Sequence, residues 1–137
     1  MSIDYRLDQE ITATEFVDLL HRSTLAERRP IEDMACMDGM VNNSNVLISA
    51  WNGGVLVGIA RSLTDFHYAC YLSDLAVDKE YQKHGIGKQL MQLTQEQLGD
   101  KCKLILLAAP DANDYYPRVG FSHNPRCWML EPGDAIT

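Results

Sequence analysis

Two glycines, Gly85 and Gly87, stand between an apolar run ending in Leu75-Ala76-Val77 and a polar-apolar pattern from Lys88 to Leu98. The run reads as a strand and the pattern as a helix. That order constrains the chain more than any other feature, because a strand, a glycine turn and a helix start together make a backbone site for phosphate. The first amides of a helix have no internal partner. The helix dipole adds about 0.3–1 kcal/mol per nearby anionic group. Glycines let a ligand approach the backbone without a Cβ in the way. Lys83, His84 and Lys88 lie beside them.

Glycine loops of different kinds bind different phosphates. A P-loop requires G-x-x-x-x-G-K-[S/T], but Gln82 and Gln89 occupy its first and last fixed positions. A dinucleotide-binding G-x-G-x-x-G needs a small residue where Leu90 stands, and the alternating β-α rhythm is missing. A helix start that carries glycines and binds nothing satisfies the glycines alone equally well.

The rest of the chain sets the frame. Its 137 residues are 46% hydrophobic and 23% charged, which suits one globular domain over 1–137 with a real core. No apolar run approaches the roughly 18 residues of a membrane helix. The N-terminus has no basic segment followed by an apolar one, so no signal peptide is expected. The four cysteines are widely spaced without C-x-x-C, as expected of reduced thiols in a cytoplasmic protein. His21, His67 and His123 lack ligand spacing, so no metal is expected. The net charge of -7 argues against nucleic acid and is compatible with a cationic substrate.

Along the chain, Ile3 to Leu7 alternates as a short strand. Thr12 or Thr14 caps a helix carrying Phe16, Leu19 and Leu20. Pro30 fits the first turn of a second helix with Ile31, Met34, Met37 and Val41 on one face, either core or an adaptable substrate wall. Val46–Trp51 and Val55–Leu63 flank a hairpin turn at Asn52-Gly53-Gly54. Tyr68–Val77 is the next strand. Lys103–Ala109 is nearly all apolar and predicts a strand covered on both faces. A short helix over 112–119 ends at Gly120. Phe121 onward and Trp128-Met129-Leu130 predict one or two last strands. An antiparallel meander followed by a β-α-β unit makes the class α+β.

Two segments together carry a more specific signal. Leu75-Ala76-Val77 leads, after a short acidic turn, into Gln82-x-x-Gly85-x-Gly87, and Tyr116-Pro117-Arg118-Val119-Gly120-Phe121 follows about 30 residues on. In this pairing the chain resembles the GNAT superfamily of acyl-CoA-dependent N-acetyltransferases over residues 46 to 121. The resemblance implies a three-layer sandwich, with a mixed, mostly antiparallel central sheet, helices on both faces and a splay between strands 4 and 5. It implies that backbone groups of Leu75 and Val77 pair with the pantetheine arm of acetyl-CoA and that a backbone amide near Ala76 polarises the thioester carbonyl. Amides of Gln82, Lys83, His84, Gly85, Ile86, Gly87 and Lys88 would cradle its pyrophosphate. Tyr116 matches the family tyrosine facing the CoA sulfur, a donor to the leaving thiolate; a packed aromatic beside Tyr115 is the structural alternative.

The acceptor implied is a primary amine on a small molecule or a protein, attacking in a ternary complex. An amine of pKa ~10.4 costs about 4.6 kcal/mol to neutralise at pH 7, so a base or a water relay must take its proton. Strand alternation puts Tyr71, Ser73 and Leu75 on one face and Asp74 on the other unless a bulge intervenes. Asp74 is the nearest carboxylate for a base, and Tyr71 and Ser73 are the alternative through water. A CoA-binding sensor without turnover is the competing reading of the whole chain, and an edge-strand homodimer is compatible with such a sheet. Nothing in residues 12 to 45 names the acceptor.

Overall fold

In the computed structural model, which describes residues 2–137, the chain forms two compact units, one running to Leu107 and one from Ala108 to Thr137. The first unit holds a five-stranded sheet made of β1 (Asp4–Leu7), β2 (Val46–Asn52), β3 (Val55–Thr64), β4 (Ala69–Val77) and β5 (Lys103–Ile105), in that spatial order. The first three pairings are antiparallel and β4–β5 is parallel. Helices α1 (Ala13–Ser23), α2 (Met34–Asn43) and α3 (Ile86–Glu96) belong to the same unit, and α4 (Tyr115–Arg118) to the second.

Local chemistry explains where the helices begin. The Thr12 hydroxyl accepts from the Glu15 amide at 3.1 Å while the Glu15 carboxylate accepts from the Thr12 amide at 3.0 Å, a reciprocal cap. Phe16, Leu19 and Leu20 then fall on one stripe and are fully buried. The second helix starts later than expected. Asp33 caps it by accepting from the Cys36 amide, so Pro30 and Ile31 lie in the preceding turn, which the Asp33 amide closes on the Pro30 carbonyl. Met37 and Val41 enter the core, whereas Met34 stays 43% exposed. The methionine face is therefore core in its second half only.

The two faces of the sheet are covered by different helices. A side chain at Gly58 would lie 3.1 Å from Leu90 and 3.2 Å from Ile86, so this position looks onto α3. Alternation turns Ile59 to the opposite face, where it packs in one cluster with Phe16, Leu19 and Leu20 of α1 and Met37 and Val41 of α2.

Two expectations fail at the far side of the sheet. The strand predicted over 103–109 pairs with β4 across only three residues, Ala69–Tyr71 against Lys103–Ile105. Beyond that register it has no ladder, and Ile105 and Leu107 are 44% and 47% exposed rather than covered on both faces. The splay expected between strands 4 and 5 is thus real and begins early. No strand forms from Phe121 onward. Trp128 is 90% exposed and, with Met129 and Leu130, finds neither a ladder nor a core.

The β3–β4 connection is organised by one carboxylate. Asp65 accepts from the amides of His67, Tyr68 and Ala69 at 3.0, 2.8 and 3.1 Å. Those bonds favour its charged form and hold its carboxyl down at about 2. A depressed folded-state value means the contribution is complete above the unfolded value of 3.8 and fades as the pH falls toward about 2. Asp65→Ala should accordingly lower the urea midpoint at pH 6, and the gap from wild type should close between about pH 4 and pH 2; a gap independent of pH would sink this account. Gly58→Val should cost about 1–3 kcal/mol in urea unfolding, because two further methyl groups must enter a filled interface.

Candidate functional site

The strand β4 carries a bulge at Ser73. Leu72 pairs with Ser62 and Asp74 pairs with Arg61, the next residue of β3, leaving Ser73 as the extra residue. Residues paired across an antiparallel ladder share a face. Leu75 and Val77, opposite Ala60 and Gly58, therefore look onto α3, while Asp74 and Ala76, opposite Arg61 and Ile59, look toward α1 and α2. The Arg61 guanidinium reaches both the Ser73 hydroxyl at 2.9 Å and the Asp74 carboxylate at 2.5 Å. This corrects the unbulged alternation. Tyr71, Ser73 and Asp74 share one face, and Leu75 has moved to the other.

Asp74 is held on both oxygens. Arg61 Nε donates to Oδ2 and Arg29 Nε donates to Oδ1 at 2.6 Å, with the Asp74 side chain fully buried. The same two arginines bind carbonyls around it. Arg29 donates to Ser73 at 2.8 Å and Arg61 to Met40 at 2.9 Å. One carboxylate thus joins β3, β4, α2 and the segment ahead of α2. This geometry suits an ion-paired structural group rather than an exposed base, since neither oxygen faces solvent. Neither arginine was singled out from the sequence. The available signal was Arg61 itself, a charge inside the apolar run Val55 to Leu63, because a charge so placed requires a buried partner.

The strand passes into the glycine segment through Asp78. Its amide donates to Val57, its Oδ1 accepts from the Glu80 amide at 2.9 Å, and its Oδ2 accepts from Arg22 of α1 at 2.6 Å. Gln82 folds back and donates to the Val77 carbonyl at 3.1 Å. Lys83 and Gly85 both have left-handed backbone, φ 66° and 79°. Gly85 caps α3. Inside the helix the first amide with a helical partner is that of Gln89, which donates to the Gly85 carbonyl. The amides of Ile86, Gly87 and Lys88 precede that ladder, as helix-start donors do. Ile86 and Leu90 are buried and fix the helix, while Gln82 to Gly85 and Lys88 are exposed. A fixed helix start, an exposed glycine turn and two lysines form an anion cradle. It suits the diphosphate of a coenzyme, and the unpaired edge of β4 past Tyr71 suits an extended arm bearing amides.

Tyr116 lies in the second unit. Its ring packs edge-on against Tyr115 and Phe121, with centroids 5.3 and 5.5 Å away. Pro117 does not displace the helix from Tyr116, because it falls in the first turn of α4, where no amide donor is needed. Gly120 follows with φ 101°, and the Phe121 amide closes on the Tyr116 carbonyl at 3.1 Å. Burial, and to a lesser degree Tyr115, push the Tyr116 phenol up from its ordinary value of 10.0. It therefore keeps its proton at neutral pH and can act as a donor.

The chain and its fold are matched by known proteins. The family model for the acetyltransferase (GNAT) domain covers residues 14–126. The chain belongs to the GNAT acetyltransferase family, whose general reaction is N-acetylation from acetyl-CoA. An uncharacterized ycf52-like N-acetyltransferase of Prochlorococcus marinus is 30% identical over 111 residues, 77% of this chain and 56% of that protein. The chain spans 28% to 56% of the length of the curated relatives it matches. In structure it is similar to a probable acetyltransferase of Staphylococcus aureus, with a TM-score of 0.77, 17% identity and coverage of 95% and 98% of the two chains. It is also similar to an aminoglycoside N-acetyltransferase solved in complex with CoA, with a TM-score of 0.73, 17% identity and coverage of 97% and 96%.

The arginine clamp makes a distinct prediction. Asp74→Asn removes the charge that the buried Arg61 and the half-buried Arg29 guanidinium groups need, and should cost about 3–5 kcal/mol of stability. A variant as stable as wild type in denaturant titrations but devoid of acetyl transfer would instead make Asp74 the proton acceptor.

Proposed function

We propose that the chain transfers the acetyl group of acetyl-CoA to a primary amine, on a small molecule or a protein, by direct attack in a ternary complex. The observation that carries this reading is the edge of β4. Beyond the Tyr71–Ile105 pair its backbone has no strand on the β5 side, and it runs directly into the exposed glycine turn at the start of α3. Acetyl-CoA would supply the thioester. Backbone groups of Leu75 and Val77 bind the pantetheine amides in place of a missing strand, whereas those of Ala76 face β3 opposite Ile59. Amides from Gln82 to Lys88 hold the diphosphate, with Lys83 and Lys88 adding positive charge. The complex of a structural neighbour with CoA supports the donor side of this assignment.

On the acceptor side, Tyr71 and Ser73 share a face of β4, and water held there relays the proton of the incoming amine to bulk solvent. Asp74 positions Ser73 through Arg61 and Arg29. The Tyr116 phenol, which is protonated at neutral pH, donates to the departing sulfur. A donor of this kind contributes about 10²–10⁴-fold.

The test is thiol release from acetyl-CoA against a panel of amines. Turnover with at least one amine is expected, and Tyr116→Phe should lower kcat by about 10²-fold with little change in KM for acetyl-CoA. Full turnover in that variant removes Tyr116 from the chemistry. Tight CoA binding with no release from any amine would make the chain a sensor of acyl-CoA instead of a transferase.

A further inference from the structure

A single arginine of α1 ties the first helix to the turn that launches the glycine segment. Arg22 Nη1 donates to Asp78 Oδ2 at 2.6 Å, and Nη2 donates to the Leu56 carbonyl of β3 at 2.8 Å. Its Nε is bound to Asp18, one turn back on the same helix, at 3.0 Å. The guanidinium is thus oriented on two sides, by Asp18 and the Leu56 carbonyl, where it meets Asp78. Asp78 is almost fully buried and has its own tasks. Its other oxygen accepts from the Glu80 amide, and its carbonyl accepts from the Tyr81 amide at 2.8 Å. Those two bonds shape the single 3-10 turn Lys79–Tyr81 that leads to Gln82. On the other side of this turn the Tyr81 hydroxyl accepts from the Asn52 side chain at 2.8 Å.

We propose that Arg22 is a positioning residue for the diphosphate of the donor, acting through Asp78 on the loop Lys79–Gly85. The proposal rests on the reading of Gln82 to Lys88 as the donor cradle. Arg22 touches neither donor nor acceptor in this assignment. Its effect is to fix the exit direction of the chain from β4, so that the loop amides are already convergent when the diphosphate arrives. Without it, Asp78 is a buried carboxylate that has lost its cation, and it must turn toward water or lose its hold on Glu80. Either change loosens the loop at its root, and the loop then has to be ordered during binding.

The test uses Arg22→Met, the conservative Arg22→Lys, and Asp18→Asn as a control that neutralises only the exposed arm of the contact. Amide hydrogen exchange over residues 79–85 should rise about tenfold in Arg22→Met and stay at the wild-type rate in Asp18→Asn. The Kd for CoA by calorimetry should weaken about tenfold in Arg22→Met. The Kd for pantetheine, which lacks the diphosphate and is followed by amide NMR, should move less than twofold. Arg22→Lys can still reach Asp78 but not Leu56 at the same time, and should fall between the two. If Arg22→Met does not fold, Arg22→Lys carries the same comparison, with loosened exchange over 79–85 and a loss for CoA only. Unchanged exchange in this loop, or equal losses for CoA and pantetheine, overturns the proposal. A wild-type chain that binds no CoA overturns the donor reading instead, and the exchange data then decide the Arg22–Asp78 link by themselves.

Discussion

Asp74 sits between two guanidinium groups, and most of what is distinctive in the first unit passes through it. The carboxylate belongs to β4, Arg61 to β3 and Arg29 to the segment ahead of α2. Burying one carboxylate against two arginines is costly unless every group finds a partner. Here the remaining arms of the arginines bind the Ser73 hydroxyl and the carbonyls of Ser73, Met40 and Arg28. The bulge at Ser73 makes the arrangement possible, because it brings Ser73 and Asp74 to one face within reach of a single guanidinium. The energy of the cluster lies less in attraction than in the cost of leaving any member alone, and this fixes the position of β4 against the helices of that face.

From that fixed strand the candidate donor site needs little further machinery. β5 departs after three residues of pairing, which leaves the backbone of β4 free on one side. At the strand's end, Asp78 bends the chain and Gly85 supplies the left-handed residue that starts α3. Leu90 and Ile86 seat the helix over Gly58, where the missing side chain lets it approach closely. Unsatisfied backbone groups are usually a defect in a fold. Here two sets of them, on a strand edge and at a helix start, follow one another along the chain from β4 to α3 and mark the candidate donor site.

Much of this was readable in the residues. The strand, glycine turn and helix of the candidate site follow from local pattern and from the spacing of Gln82, Gly85 and Gly87, and residue preference narrows the first helix cap to Thr12 or Thr14, of which Thr12 is used. What escaped depends on distant partners. Nothing near Asp74 in sequence reveals that Arg29 and Arg61 converge on it. Nothing in the apolar run Lys103 to Ala109 tells that its ladder stops at Ile105, since hydrophobicity records the wish for burial and not the presence of a neighbour. Trp128, Met129 and Leu130 show the same limit, apolar residues without a sheet to join. Pro30 looked like a helix start by residue preference, but Asp33 offered a better cap three residues later.

The bulge also changes how β4 must be read. Up to Leu72 the even-numbered side chains look onto α3; from Asp74 onward the even-numbered ones look the other way. The strand has one parity before Ser73 and the opposite parity after it. A single inserted residue therefore lets one continuous strand present Tyr71 and Ser73 to one layer and Leu75 and Val77 to the other. Deleting that residue would not shorten a loop. It would exchange the α3 layer for the α1–α2 layer along half of a strand, and carry Asp74 away from both arginines.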